Sequence, residues 1–426
     1  PGACAGWFDL HARHASRPMD ELLEPAIRLA EEGFPVAPFN SRLWALGVAT
    51  QLGRSPGGRE LMIDGRAPRP GERFRNPTLA RSLRLLARDG REAFYAGELG
   101  ERIVSTVRAQ GGVLEMSDLE SHQSSWETAI STEYRGLRVW ECPPNGQGIA
   151  SLLALNLLRN VDLAGQDPLG AERLHWLIEA MRLAFADARH HVADPTRQRV
   201  PTEALLSDAY AKERLAEIDP RHANPDIRFG RPFAASDTVY FCCVDQEGNA
   251  CSFINSNYMA FGTGIVPEGT GFSLQNRGFG FSLDPRHPNA LEPGKRPYHT
   301  IIPGLITRES DGSLWGPFGV MGGYMQPQGH LQVVVAVADD GLDPQAALDR
   351  PRFNITDGTA NGDIKLEPGI PSRTLQRLEE MGHPIRSSSG FAQVLFGRGQ
   401  MIRRESDGVL WGGTDPRADG CVMIVP

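Results

Sequence analysis

The sequence predicts an α+β fold, because helical patterns dominate its first half and strand patterns dominate its second half. Apolar residues recur at helical spacing in residues 18–35 and 171–191, and Gly33 is placed to end the first of these helices. Asn76 and Pro77 are the residue types of a helix cap and of a first helical position. In the second half, short β-prone runs bounded by Gly and Pro predict strands. The predicted strands are residues 238–244, 250–256, 271–276, 299–306, 314–321, 330–337 and 421–426.

Two further features complete this prediction. Residues 92–112 are expected to form one helix that a pair of glycines ends, and the apolar run 152–158 is expected to be a buried helix. The first two strands flank the turn-forming stretch DQEGN, which contains Gly248 and Asn249, so they predict a hairpin. Thr238 therefore heads a central strand at the junction of the helical and the strand-rich halves.

Composition excludes some classes of function. The chain has 426 residues, 40% of them hydrophobic and 23% charged, with a net charge of −8, which argues against a general nucleic-acid binder. No apolar run approaches the roughly 20 residues that span a bilayer. The six cysteines lack metal-type spacing and are expected to be free thiols, which favours a reducing compartment such as the cytoplasm. Since the chain begins at Pro1 rather than Met, we expect a fragment or a processed chain.

Thr238 is the first candidate for catalysis. If the chain were cut before it, Thr238 would carry both a hydroxyl and a free α-amine, whose pKa of about 7.7 suits a general base. The alternative is an ordinary strand residue, because β-branched residues favour strands.

Residues 319–330 are a second candidate. The glycines Gly322 and Gly323 permit unusual backbone turns, and neighbouring N–H groups could form an oxyanion hole. Because Pro327 has no N–H, the expected donors are those of Met325 and Gln326. The alternative is an ordinary loop between two strands.

Other motifs point to no cofactor. The pair His190-His191 is expected to interact with the end of a helix, and His299 is open to either a structural or a functional role. The Gly-rich residues 261–271 lack the Lys-Ser/Thr of a phosphate loop, and no Gly-x-Ser-x-Gly elbow is present. We therefore expect neither a metal nor a cofactor.

Taken together, six segments resemble the γ-glutamyltranspeptidase family of N-terminal nucleophile hydrolases, and they follow in the family's order. The segments are residues 1–36, 92–122, 182–195, 237–253, 261–267 and 413–420. The motifs GGYMQPQGH and NSNYMAFGTGIVP are most similar to the branch that contains oxamate amidohydrolase. The resemblance also implies that a first segment of the family precedes Pro1.

The resemblance implies a fold and a set of roles. The fold is a four-layer αββα sandwich, one composite domain made of two subunits, residues 1–237 and 238–426. These subunits arise when the precursor cuts itself between Asp237 and Thr238. Thr238 matches the family's nucleophile, and Ser256 matches the hydroxyl that tunes it. Met325 and Gln326 fall where paired glycines supply the oxyanion N–H groups.

The predicted substrate pocket departs from the family pattern. Members that act on γ-glutamyl compounds hold the substrate's ammonium with amide and carboxylate side chains. Here Asn276 is kept, Arg277 replaces an amide and Gly280 replaces an acidic residue. A buried ammonium facing Arg277 would be penalised, so a substrate with a carboxylate and no ammonium fits better. The alternative for Arg277 is a structural ion pair.

Three more positions belong to this predicted pocket. His299 and Thr300 replace a pair of serines near the substrate carboxylate, and Tyr258 replaces an Asn that follows the tuning hydroxyl. The sequence therefore predicts a self-processing amidohydrolase for a small amide with a carboxylate, oxamate being the first to test. The expected partners are that substrate and the chain's own cleaved subunit, with no nucleic acid or membrane. The alternatives are a γ-glutamyltranspeptidase or glutathione hydrolase, a non-catalytic binding relative and a metal-dependent amidase.

Overall fold

The computed structural model describes residues 1–227, 237–388 and 390–425. Contacts divide the chain into two compact units, whereas the sequence predicted one composite domain. The first unit contains residues 1–126 and 257–276, and the second contains residues 127–256 and 277–426.

The first unit is mainly helical, as the sequence predicts. Its elements are α1 (Ala3–His14), α2 (Met19–Glu32), β1 (Phe34–Pro35), α3 (Pro38–Thr50), β2 (Arg73–Phe74), α4 (Pro77–Asp89), α5 (Glu92–Tyr95), α6 (Glu98–Ala109) and α7 (Met116–Glu120). The predicted helix ends are confirmed: Gly33, at φ 81°, ends α2, and the Asn76 side chain accepts the Leu79 N–H at the start of α4. Residues 92–112 form two helices instead of one, because the chain breaks at Gly97.

The second unit contains the larger core. Its elements are β3 (Ile130–Tyr134), β4 (Leu137–Glu141), α8 (Gly148–Leu158), α9 (Ala171–His191), α10 (Thr202–Leu205), α11 (Asp208–Leu215), β5 (Asp237–Val244), β6 (Ala250–Tyr258), β7 (Gly304–Arg308), β8 (Leu314–Met321), α12 (Met325–Ala338), α13 (Pro344–Asp349), β9 (Phe353–Ile355), β10 (Ile364–Leu366), α14 (Ser372–Glu380), β11 (Ile385–Ser387), β12 (Arg398–Arg404) and β13 (Leu410–Thr414). Strand β6 ends two residues inside the first unit.

A six-stranded antiparallel sheet organises this unit, in the order β13-β12-β8-β7-β4-β3. Adjacent residues of β8 point to opposite faces of this sheet. Phe318 packs on His330 of α12, with ring centroids 4.7 Å apart, whereas Gly319 faces the Tyr240 ring of β5. The β5–β6 hairpin therefore lies on one face of the sheet and α12 on the other. A small sheet, β11-β10-β9, completes the unit.

Three predicted strands are wrong. Residues 330–337 lie inside α12, and neither residues 271–276 nor residues 421–425 form a strand, while Pro426 lies outside the described residues. An apolar run of this length does not by itself distinguish a buried strand from a buried helix. The start of α12 contains buried polar residues such as Gln328, which bonds the Tyr324 carbonyl and the Ile355 N–H, so its sequence resembles a loop.

The structure gives two further negative findings for the described residues. None of their helices combines the length and the apolar character needed to cross a bilayer. No cluster of three or more His, Cys, Asp or Glu side chains among them is arranged to hold a metal ion.

Candidate active site

Thr238 lies near the start of β5 and is 8% exposed. Its hydroxyl donates a hydrogen bond to Ser256 Oγ on β6, over 3.1 Å. The structure thus brings together the predicted nucleophile and the hydroxyl predicted to tune it, although they are 18 residues apart in sequence.

The register of the hairpin explains this pairing. Near the turn, the Asp245 N–H donates to the Asn249 carbonyl over 3.0 Å. Each step away from the turn advances one residue on both strands, so Thr238 lies opposite Ser256. Phe241 and Phe253 obey the same register, with stacked rings 4.9 Å apart. Because side chains alternate between faces, Thr238 shares with Tyr240 the face that packs on the large sheet.

Arg277 is the hub of the polar site, in the sense that its guanidinium bonds side chains from two different segments of the chain. Its side chain is buried, at 5% exposure, and its Nη2 donates to Ser256 Oγ over 3.1 Å. Its Nη1 donates to Thr300 Oγ1 over 2.5 Å. A single guanidinium therefore joins the partner of the predicted nucleophile to a hydroxyl of the predicted substrate pocket.

His299 is a neutral donor beside this hub. Burial, and then the positive charge of Arg277, hold the pKa of His299 well below its usual range. Its Nδ1 faces the Ile301 N–H at 3.3 Å and accepts from it, so the single ring proton sits on Nε2. The ring thus carries one N–H, on Nε2, and no charge.

Gln147 is a residue that the sequence analysis missed. Its buried Nε2 donates to the Thr300 carbonyl over 2.8 Å and to the Gly323 carbonyl over 2.9 Å. Its backbone N–H donates to the His299 carbonyl over 2.9 Å. Gln147 therefore holds two pocket residues and the glycine turn in one arrangement. Only its place in a Pro- and Gly-rich stretch, PPNGQG, hints at this role in the sequence.

The predicted oxyanion donors are not available in this structure. The Met325 N–H donates to the Gly322 carbonyl over 3.0 Å, and the Gln326 N–H donates to the Gly323 carbonyl over 3.2 Å. The glycine turn leads directly into α12, so the first N–H groups of this helix donate to carbonyls of the turn. The prediction that the backbone N–H groups of Met325 and Gln326 form an oxyanion hole is therefore wrong for this structure.

The side chain of Gln326 shows a different feature. Its Oε1 accepts the Ile302 N–H over 3.2 Å, while its buried Nε2 has no partner among the described residues. A buried donor without an acceptor is costly, which makes this amide a candidate donor to a ligand.

Tyr258 and Asn276 belong to the other compact unit. Tyr258 ends β6 and is buried, with a φ of 79° that is unusual for a residue other than glycine. Asn276 supports the chain on both sides of it: its N–H donates to the Asn257 carbonyl and its Oδ1 accepts the Met259 N–H, each over 3.1 Å.

Comparisons with known proteins identify the family of this chain. The sequence model of the gamma-glutamyltranspeptidase family matches residues 1–425. The glutathione hydrolase-like YwrD proenzyme of Bacillus subtilis is 35% identical, over 99% of this chain and 80% of the relative. The oxamate amidohydrolase proenzyme of Klebsiella pneumoniae is also 35% identical, over 98% of this chain and 79% of the relative.

A solved structure extends the likeness to the fold. The crystal structure of a cephalosporin acylase from Bacillus halodurans is 44% identical and has a TM-score of 0.91, covering 99% of this chain and 77% of the acylase chain. These matches define the class of the protein, an N-terminal nucleophile amidohydrolase with an α+β fold. Within that class, the chain belongs to the γ-glutamyltranspeptidase family, which confirms the resemblance found in the sequence.

Proposed function

We propose that this protein cuts its own chain before Thr238 and then hydrolyses a small amide that carries a carboxylate. The contact of buried Arg277 with both Ser256 and Thr300 carries the proposal, because it joins a carboxylate-binding group to the partner of the nucleophile. The fully assembled enzyme is then a four-layer αββα sandwich of two subunits, residues 1–237 and 238–426.

Self-cleavage starts from the uncut chain. The Thr238 hydroxyl attacks the carbonyl carbon of Asp237, and the peptide C–N bond breaks as the acyl group moves from nitrogen to oxygen. Water then hydrolyses the ester, which leaves a carboxylate on Asp237 and a free α-amine on Thr238. Ser256, which accepts the hydroxyl proton of Thr238 in a hydrogen bond, holds the attacking oxygen in place.

The mature enzyme uses the same hydroxyl on a substrate. The free α-amine takes the proton of Thr238 Oγ1 as this oxygen attacks the amide carbon, and the proton then passes to the leaving amine. Water releases the acyl group in the second half of the reaction.

The chemistry of the pocket favours a carboxylate. Arg277 presents a planar fork of N–H donors, and the neutral His299 adds one more. Oxamate has a carboxylate directly beside its amide carbonyl, so one small molecule can reach both the hub and the nucleophile. The 35% identity to an oxamate amidohydrolase proenzyme supports this choice.

A γ-glutamyl compound is the second candidate, because a relative of equal identity is named glutathione hydrolase-like. In that case other residues must offset the repulsion between the substrate's ammonium and Arg277. Comparing turnover of oxamate with turnover of glutathione by the full-length, cleaved protein distinguishes the two candidates.

The decisive variant is Arg277→Ala, assayed with oxamate and with oxamide, its neutral analogue. Loss of a charge-assisted contact of about 1.5–3 kcal/mol predicts a fall of roughly 10- to 150-fold in kcat/KM for oxamate. We expect a much smaller fall for oxamide, and partial rescue by Arg277→Lys on oxamate only. An equal fall on both amides would assign Arg277 to the nucleophile alone and remove it from substrate binding.

A further inference from the structure

The hairpin that carries Thr238 also carries a pair of opposed cysteines. The register that places Thr238 opposite Ser256 places Cys243 opposite Cys251, close to the turn. The two cysteines lie on different strands, so they are cross-strand neighbours, unlike the sequence neighbours Cys242 and Cys243.

The separation of this pair suits a disulfide. Directly opposed residues of antiparallel strands have Cα atoms about 4.5–5.5 Å apart, and disulfides span about 4.4–6.8 Å between Cα atoms. The two thiols also affect each other. Burial raises the pKa of Cys251, and the charge of Cys243 and a hydrogen bond that the Cys251 thiol donates to Cys243 raise that pKa further.

The pair is also accessible. Cys243 is exposed and Cys251 is half-buried, and they share the outer face of the hairpin with the exposed Phe241. Cys242 lies on the opposite face, which packs on the large sheet, and burial raises its pKa to about 12. The outward pair is therefore open to small thiol reagents.

We propose that Cys243 and Cys251 form a reversible disulfide by exchange with a small-molecule disulfide. The Cys243 thiolate attacks one sulfur of the reagent, which forms a mixed disulfide and releases one thiol. The Cys251 thiolate then attacks the Cys243 sulfur and releases the second thiol. The protein loses two electrons and two protons, and the reagent gains them as two thiols.

The bond would fasten together the two strands that hold the catalytic hydroxyls. In the cut protein Thr238 begins a chain, so β5 has no peptide bond to a preceding residue at that end. A covalent link to β6 near the turn keeps Thr238 and Ser256 in register when that end opens. The inference concerns the same hairpin as the proposed function but does not need the chain to be cut.

The test uses the full-length protein incubated with 2-hydroxyethyl disulfide, which contains no glutamyl group. The background carries Cys142→Ser and Cys421→Ser, which remove two other exposed thiols. Mass spectrometry of unreduced peptides is expected to show a Cys243–Cys251 link, with the intact mass lower by two hydrogens and no lasting adduct. The unfolding temperature is expected to rise by a few degrees and to fall back after reduction.

Matched variants make the outcome decisive. Cys251→Ser is expected to keep a mixed disulfide on Cys243, and Thr238→Ala is expected to form the link as fast as the parent protein. A lasting adduct on Cys243 beside a reduced Cys251 in the parent protein would overturn the inference, as would a link from Cys243 to any other cysteine. The Thr238→Ala variant lacks the predicted nucleophile, so disulfide formation in it does not depend on self-cleavage. Failure of the proposed function would therefore leave this test intact.

Discussion

Ser256 Oγ lies 3.1 Å from Thr238 Oγ1 and 3.1 Å from Arg277 Nη2, and it accepts a hydrogen bond from each. Thr238 and Ser256 face each other only because the hairpin closes at Asp245 and Asn249. A change of one residue in this register would move one hydroxyl to the other face of the hairpin. The position of the predicted nucleophile therefore depends on the turn as much as on its own strand.

The first prediction concerns Ser256. Ser256→Ala removes the acceptor of the Thr238 hydroxyl and one acceptor of Arg277, so we expect self-cleavage and kcat/KM to fall by about 10- to 100-fold, equivalent to about 1.4–2.8 kcal/mol. The cleavage half-time of the precursor and the turnover of oxamate measure these effects.

Ser252→Ala is the matched control for this variant. Ser252 lies on the same strand, but its hydroxyl bonds Tyr240 Oη over 2.8 Å rather than the nucleophile. Its cleavage half-time and turnover are expected to stay within a few-fold of the parent protein. Partial recovery in Ser256→Thr would support the hydroxyl as the active group, and equal losses in the two alanine variants would contradict its special role.

The second prediction concerns the packing of the hairpin on the large sheet. A Cβ atom at Gly319 would come within 2.6 Å of the Tyr240 ring, closer than real contacts allow. We expect Gly319→Ala to lower the free energy of unfolding by about 1–3 kcal/mol and to slow self-cleavage, since Tyr240 is two residues from Thr238. Denaturant unfolding and the cleavage half-time measure the two effects.

Gly6→Ala provides the control for that substitution. A Cβ at Gly6 meets nothing within 4 Å, and Gly6 lies inside α1, where alanine is the better helix former. This variant is expected to be as stable as the parent protein or more stable. A Gly319→Ala protein with unchanged stability would show that the two sheets do not pack as described.

The third prediction concerns acid stability and a buried histidine pair. His175 Nδ1 and His383 Nε2 are 2.7 Å apart, and Glu179 Oε1 lies 3.8 Å from His383 Nδ1. Burial, and then the charges of His175 and Arg182, lower the pKa of His383 to about 3. Nearby, Arg182 and Glu179 bond Asn224, in the segment that leads toward the predicted cleavage bond.

The sign of the pH effect follows from that shift. The unfolded chain binds the histidine proton near pH 6.5, at about its ordinary pKa. The neutral His383 therefore contributes stability that is present in full above that pH and is lost as the pH falls toward 3. We expect the free energy of unfolding to fall between about pH 6.5 and 4, and to fall less steeply in His383→Gln.

His222→Gln is the control for His383, because His222 is exposed on the surface. The free energy of unfolding of His222→Gln is expected to show the same pH dependence as that of the parent protein. Identical slopes for His383→Gln and the parent protein would show that His383 does not limit acid stability.

Local patterns predicted part of this structure well. Gly33 and Asn76 mark helix ends by their own backbone and side-chain chemistry, and the stretch around Gly248 predicts the hairpin, whereas the pairing of Ser256 with Thr238 is predicted by the family resemblance alone. The helical structure of residues 330–337 is not predicted by local pattern. A buried helix with no polar face lacks the periodicity that identifies helices.

The rest of the site depends on contacts between distant segments. Gln147 is more than 150 residues from Thr300 in sequence, and no local pattern links the two. The position of Met325 and Gln326 before Pro327 predicts that their N–H groups are donors, but the partners of these groups depend on how the glycine turn enters α12. Such details follow from the three-dimensional fold and cannot be obtained from residue types alone.

The intact mass of the full-length protein, measured beside its Thr238→Ala variant, tests the central claim most directly. We predict two chains from the parent protein, the smaller beginning with Thr238, and a single uncut chain from the variant, with both proteins folded by circular dichroism. A folded parent protein that stays in one piece, or a variant that is cut at the same bond, would contradict the assignment of Thr238 as the nucleophile.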